Sequence, residues 1–475
     1  MATCNIKGEK VKENLQHIIK DARVSAVKLQ PAVYPTADGE NEIVQAIRQN
    51  AENLGWADEE RGCFGRVIAE GARVLIKPNL VLHANQGTGG MLPLVTHPSL
   101  IKAVVAEVLK ANPAEVLVGD APIQSCDFAK LLHVTELDKW SAELQKADAC
   151  FAGIQDFRRT TCAVAGGVRV ANENIQPIEN FVLYNLGKYS LLEPITDGKN
   201  SFRVTKYDPR LMAKTHSPGN HQYLVARRVI EADVVINLPK LKTHKKAGIT
   251  GALKNLVGIN GNKEYLPHHR IGGAGIGGDC YPGSDAVKRA LESVLDRQNM
   301  TTSMAKGKML AGIGTQLERV MRLKGDEIGV EGAWSGNDTV SRMCLDLNRI
   351  LLYGKTDATL GETVQRRVLQ IVDAVIGGQG DGPLASDELP LGLILAGANA
   401  AAIDWVGAHL LGYNARQISL TNYSFMDFRW RIADFVPSEI KLLGDWTDNL
   451  TAENLLVLAK EQAVIHPIGW RNAKA

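Results

Sequence analysis

Five lysines and a histidine crowd the stretch KLKTHKKAGITGALKNLVG at residues 240–258: Lys240, Lys242, Lys245, Lys246, Lys254 and His244. From Pro239 to Arg270, seven Lys or Arg residues stand against one acid, Glu264, and His268 and His269 join His244. In a chain with 54 basic and 52 acidic residues, such local asymmetry reads as an electropositive site for an anion, or as a solvated charge run. Lys240 and Lys242 would hold the anion. The segment GITGALKNLVG is punctuated like a short helix, with Thr250 as a cap, Gly251 allowing close backbone approach and Gly258 ending it. Free N–H groups at such a start would bind an anionic group. This is not a Walker loop, because Lys254 does not follow its glycine directly and Asn255 comes next.

Lys254 falls one turn inside the predicted helix, among Leu253, Leu256 and Val257. A partly buried lysine has a depressed pKa and serves as nucleophile or base; one that snorkels to the surface does neither. His244 is the companion for proton transfer. His268 and His269 could do acid–base work or bind a metal, although they lack the spacing of a zinc pair on one helix. Asp279, Asp338, Asp373 and Asp381 sit beside glycines or at strand ends, where they could bind a divalent ion or simply cap and turn the chain.

Elements must carry these side chains. RVLIKPNL (73–80), HPSLIKAVVAEVLKANP (97–113) and AEVLVGDAP (114–122) read as strand, helix and strand, a βαβ unit. Pro98 fits the first helical turn, with Thr96 or His97 before it. His83, Thr96, His97 and Asp120 therefore lie near the carboxyl ends of parallel strands, where ligands of open sheets bind. Asp120 is a catalytic candidate, and Lys77, Asn79 and His97 are anion-binding candidates. EADVVINLP (231–239) is the next buried strand, and the basic stretch leaves its end as a loop. Further on, 338–354 is helical, 370–378 and 392–397 are strands, and 399–413 is a helix capped by Asn399. GGAGIGGDCYPG (272–283) is too glycine-rich for a regular element and reads as a loop that could close over the site.

The expected fold is α/β, with mostly parallel sheets, helices on both faces, and two interlocked lobes with an irregular inserted segment. Residues 1–72 form an N-terminal extension, 73–122 the first βαβ unit, 123–225 the insertion, 226–413 the rest of the core, and 414–475 a C-terminal extension. The opening has no unbroken apolar stretch of signal-peptide length, and no later run reaches a membrane span. Near-neutral charge argues against general nucleic-acid or membrane-surface binding. A cytoplasmic protein with a small-molecule partner is expected. The cysteines at 4, 63, 126, 150, 162, 280 and 344 form no CxxC pair, so no iron–sulfur cluster is expected. Trp405 and Tyr413 could form a face for a homo-oligomer, although aromatics at helical spacing are commonly core.

VLIKPNLV, THPSLIKAVV, VLVGDAP, DVVINLPKLKTH, TGALKNLVGI, SGNDTVSRMCLDLNRILLYG and GPLASDELPLGLILAG together resemble the family of the domain of unknown function 362, over about residues 73–413. Many members carry a ferredoxin-like module whose cysteines are missing from this chain. A weaker resemblance is to the nickel-pincer lactate racemases, through THP at 96–98 and the ten-residue separation of His244 and Lys254. It implies a lysine-linked cofactor on Lys254, acid–base work by His244, and nickel on His268 or His269. Asp120 stands where those enzymes carry their second catalytic histidine. The expected function is an enzyme acting on a small carboxylated or phosphorylated metabolite by proton transfer, as an isomerase or lyase. The alternatives are an oxidoreductase with a tightly held cofactor and a non-catalytic protein that binds a phosphorylated ligand.

Overall fold

The computed structural model describes residues 15–36, 39–165, 168–172, 176–199, 201–444 and 463–473. Cys4 and most of the opening segment lie outside them, as does part of the C-terminal segment. The architecture is α/β, built on one ten-stranded sheet. Its strands are β1 (Arg23–Lys28), β2 (Arg73–Pro78), β3 (Glu115–Asp120), β4 (Phe151–Asp156), β5 (Val234–Leu238), β6 (Lys240–His244), β7 (Gly248–Thr250), β8 (Arg367–Asp381), β9 (Ala385–Gly397) and β10 (Lys441–Leu443). The main path runs β10-β1-β9-β8-β5-β2-β3-β4, and β6 pairs with both β7 and β8.

Alternating side chains divide between two cores, one on each face of the sheet. Leu75, Val235, Val372 and Leu395 enter one core, whereas Val74, Ile76, Ile236, Ile371 and Ile394 enter the other. Helices Glu42–Leu54 and Pro98–Leu109 cover the second face, and Thr339–Tyr353 and Ala400–Leu410 cover the first. β2, β3, β4, β5 and β8 pair in parallel, while β9 runs antiparallel to β8 and β1. The expected βαβ unit is present: Pro98 opens its helix, and His97 caps it by accepting from Ser99 N through Nδ1 at 3.2 Å. Asn399 caps Ala400–Leu410 by accepting from Ala401 N at 2.9 Å.

The terminal segments are woven into this sheet, since β1 and β10 pair with each other. Residues 123–156, grouped by sequence with an insertion, supply two helices and the edge strand β4. The remainder of that region forms small sheets, including Phe181–Asn185 against Asn220–Ala226. Trp405 and Tyr413, considered as an assembly face, are both core residues.

Two readings of local structure change. The basic stretch after Pro239 is a strand, because Lys-Leu-Lys-Thr-His alternates with the period of a strand. It continues the line of β5, and β8 is long enough to pair with β5 first and β6 afterwards. The 272–283 segment is a tightly bonded turn system. Gly275 N donates to Gly283 O at 2.8 Å, Cys280 N to Gly272 O at 3.0 Å, and Gly272 N to Glu292 Oε1 at 2.8 Å. Its glycines permit that close backbone packing.

Candidate functional site

The chain order β2, β3, β4 runs outward on one side of β2, and β5 begins the other side. The reversal between β2 and β5 is a topological switch point, and the crevice beyond their carboxyl ends is where such sheets bind ligands. Lys77, Asn79, Asp120, Lys240 and Asn255 all lie there. β6 carries Lys240, Lys242 and His244 at alternate positions, hence on one face, with Thr250 of β7 directly opposite Lys242.

Two of the lysines are already matched. Lys77 Nζ lies 2.6 Å from Asp120 Oδ1, with both side chains buried. Asp120 also accepts from Leu80 N through Oδ2 at 2.7 Å. A Cβ on Gly258 would collide with this carboxylate, so the absence of a side chain lets the chain close over the pair. Burial opposes charge on both partners, lowering the lysine and raising the carboxyl, and the contact between them offsets it.

Lys240 Nζ lies 2.7 Å from Asp373 Oδ2, both side chains fully buried, and donates to Tyr34 Oη at 2.8 Å. Tyr34 Oη donates to Asp373 Oδ1 at 2.5 Å, and His97 N donates to Asp373 Oδ2 at 2.8 Å. The Tyr34 ring stacks on His97, centroids 3.6 Å apart. Burial pushes the His97 imidazole down to about 4, so it is a neutral cap at pH 7. Lys77, Lys240, Asp120 and His97 thus serve one another, and none presents a free charge to a ligand.

Asn255 knits the crevice floor. It accepts from Asn79 Nδ2 at 3.0 Å and from Lys77 Nζ at 3.2 Å, and donates to Asn237 Oδ1 at 2.7 Å. Asn237 in turn donates to Gln370 Oε1 at 2.8 Å. Among the paired and bridging groups, Tyr34, Asn237, Gln370 and Asp404 were not singled out from the sequence.

The short helix Ala252–Asn255 does not offer its N–H groups to a ligand. Asp404 of the helix Ala400–Leu410 takes them, accepting from Ala252 N at 2.5 Å and Leu253 N at 3.0 Å. A Cβ on Gly251 would collide with that carboxylate, which is why this position is glycine. Thr250 is not the cap, and its buried hydroxyl has no partner among the described residues. The anion role expected of Thr250 and Gly251 is therefore filled by an internal carboxylate. Burial raises Asp404 to about 7.

Lys242 and Lys254 are different. Lys242 is fully buried, yet its Nζ meets only oxygens of neutral groups: Leu94 O at 2.5 Å, Asn79 Oδ1 at 3.3 Å and Pro383 O at 3.4 Å. Burial drives its pKa far down, and the charges of Lys240 and Lys254 add to this. Lys254 is 8 % exposed and has no hydrogen-bond or ion-pair partner among the described residues, while its Nζ is not sealed from solvent. Burial lowers its pKa also.

His244 and His268 both feel Lys254, and they hold opposite tautomers. His244 Nδ1 accepts from Lys246 N at 3.0 Å and Ala247 N at 3.1 Å, which leaves the ring proton on Nε2. His268 Nδ1 sits 2.7 Å from Leu266 O, an acceptor, so Nδ1 carries the proton and Nε2 presents a lone pair. Neither Nε2 has a partner among the described residues. Burial first, then the nearby charge of Lys254, holds both imidazoles far below the ordinary histidine value. One ring is poised to donate and the other to accept.

His269, the next residue, does not join them. It feels Lys246 and Arg203 instead, and it lines a separate cavity of about 950 Å³ together with Thr205, Lys206, Glu292 and Glu331. Lys246 stands between the two regions, donating to Thr205 Oγ1 at 2.6 Å. Among the described residues no group of three His, Cys, Asp or Glu side chains converges to hold a metal ion. The expected metal pair of His268 and His269 is therefore split between two environments. Three of the aspartates weighed as ion ligands have partners: Asp373 meets Lys240, Asp279 accepts from Thr339 Oγ1 at 2.6 Å and Arg270 N at 2.5 Å, and Asp338 pairs with Arg342 at 2.7 Å.

Comparison with known proteins adds a family and little chemistry. A thylakoid-associated protein of Synechocystis sp. is 26% identical over 200 residues, 42% of this chain and 43% of that relative. The chain thus matches less than half the length of that relative. A structural-genomics crystal structure of a protein from Thermotoga maritima is 10% identical, covers 75% of this chain and 55% of the other, and has a TM-score of 0.31, too low to carry an argument. Nothing in these comparisons supports the likeness to the nickel-pincer racemases. Residues 74–175 and 192–409 match the family described as Domain of unknown function (DUF362), and because they make up more than half of the chain, the protein belongs to that family.

Proposed function

We propose that the protein is an enzyme that binds a small carboxylated or phosphorylated metabolite beside Lys254 and moves a proton on it. One observation carries this reading. A buried lysine without a counter-charge lies near enough to act on two imidazoles, one that presents N–H and one that presents a lone pair. Buried charges in proteins are normally paired, so a cation left unmatched at the crevice is a place for an anion.

In this reading the ligand's anionic group rests against Lys254. His268 Nε2, whose lone pair is fixed by the hydrogen bond from Nδ1 to Leu266 O, takes a proton from carbon next to the anionic group. His244 Nε2–H donates to the oxygen on which negative charge develops. Both rings begin neutral, as such a transfer requires. The expected chemistry is isomerisation or elimination.

Proton NMR in D₂O with a panel of 2-hydroxy, 2-oxo and phosphorylated acids tests it. The expected result is deuterium incorporation at one carbon of one compound, lost in His268→Gln. Binding without exchange for every ligand would leave the site a receptor and defeat the catalytic reading.

A further inference from the structure

The helix Met304–Leu323 packs on its neighbour Ala286–Met300 through Gly307, Leu310, Gly314 and Met321. Its outer face carries four large apolar side chains with the exposed Gln316 among them. Met309 is 60 % exposed, Ile313 44 %, Val320 41 % and Leu323 88 %. At roughly 100° per residue these four fall within an arc of about 80°. Lys306 and Lys324 border this stripe on one side, and Lys308 and Arg319 border it on the other, all exposed. Glu318, the helix's only acid, is on the far side. None of the four basic groups has an ion-pair partner among the described residues.

We propose that this face docks on an anionic lipid surface, with the helix lying in the plane of the interface. An apolar stripe between two basic rims matches such a surface twice over: the aliphatic side chains enter the boundary of the acyl region, and the rims meet the headgroup charge. A second copy of the chain would set like-charged rims against each other. A nucleic acid would match the rims but leave four large aliphatic groups against phosphate, with no aromatic side chain in the stripe for base stacking. Near neutrality of the whole chain is no obstacle, because it averages over a surface on which the charge is segregated. No crossing of the bilayer is involved, and no described helix is long and apolar enough to make one. The inference is independent of the chemistry at Lys254.

Vesicle co-sedimentation of the full chain tests it. With phosphatidylglycerol and phosphatidylcholine vesicles the pelleted fraction should exceed that with phosphatidylcholine alone by at least about fivefold, and salt near 0.5 M should remove most of the difference. The exposed double variant Ile313→Glu with Leu323→Glu should lose the binding, and Lys306→Glu with Lys324→Glu should weaken it at least about fivefold. Circular dichroism and a thermal melt on each variant establish that the fold is kept. No preference for anionic vesicles, or unchanged binding by folded variants, would overturn the proposal. A concentration-dependent dimer that disappears in Ile313→Glu with Leu323→Glu would overturn it too, by showing that a second copy covers the stripe.

Discussion

Four lysines are buried around one crevice, and they divide into two kinds. Lys77 and Lys240 each meet a carboxylate, at 2.6 Å and 2.7 Å. Lys242 and Lys254 meet none among the described residues. The first two tie strands together at the switch point, and removing either partner strands a charge. The second two are buried amines without an internal counter-charge. Burial alone therefore does not tell these lysines apart, whereas the presence or absence of a counter-charge does.

Replacing one member of each kind should separate them most widely. Lys240→Met leaves Asp373 buried without its counter-charge and should cost about 3–5 kcal/mol in urea unfolding. Lys254→Met removes an unmatched buried amine and should leave stability unchanged or raise it by about 1 kcal/mol. Equal losses at both sites would erase the distinction. On the catalytic side, His268→Gln should lower turnover by about 10²–10⁴ with an ordinary melt, since Gln preserves polarity and bulk but not the basic Nε2.

Acid should act on the neutral histidines. Their folded pKa values are depressed, so the unfolded chain takes up the protons first, and stability present above pH 6.5 is lost as pH falls toward the folded values. For His216, buried where it pairs with His221 of the strand Asn220–Ala226, the window runs from 6.5 down to about 3, and for His97 from 6.5 down to about 4. Unfolding free energy should decline across that range by at most about 1.4 kcal/mol per pH unit for each such group. A flat profile would mean that these rings are protonated in the fold.

Gly251→Ala tests the claim that Asp404 occupies the helix start. The added Cβ would meet that carboxylate, and a loss of about 1–3 kcal/mol is expected. The smallest effect belongs to Thr250→Val, which exchanges a buried hydroxyl without a partner for a methyl group. It should change stability by less than about 0.5 kcal/mol, or raise it slightly.

Local regularities were legible in the sequence. The βαβ unit followed from its apolar periods, the cap Asn399 followed from residue type and position, and of the two cap candidates Thr96 and His97 the structure uses His97. In the basic stretch the density of charge concealed an alternation, Lys240, Lys242, His244, that is itself the strand signal. The helix Met304–Leu323 carries Gly307, Gly312 and Gly314, residues that weaken a helical reading. Long-range partners left no trace in the sequence: Asp373 reaches Lys240 from another strand, Tyr34 from the first segment, and Asp404 reaches Ala252 from a late helix. His268 and His269 looked like a pair because they are adjacent, but their environments diverge.

The most direct test of the central claim is calorimetric titration of wild type and Lys254→Met with a panel of carboxylated and phosphorylated metabolites. The account predicts that at least one of these anions binds the wild type and loses at least about tenfold in affinity in the variant, about 1.4 kcal/mol. Binding of equal strength to both proteins, or no binding of any anion to the wild type, would contradict it.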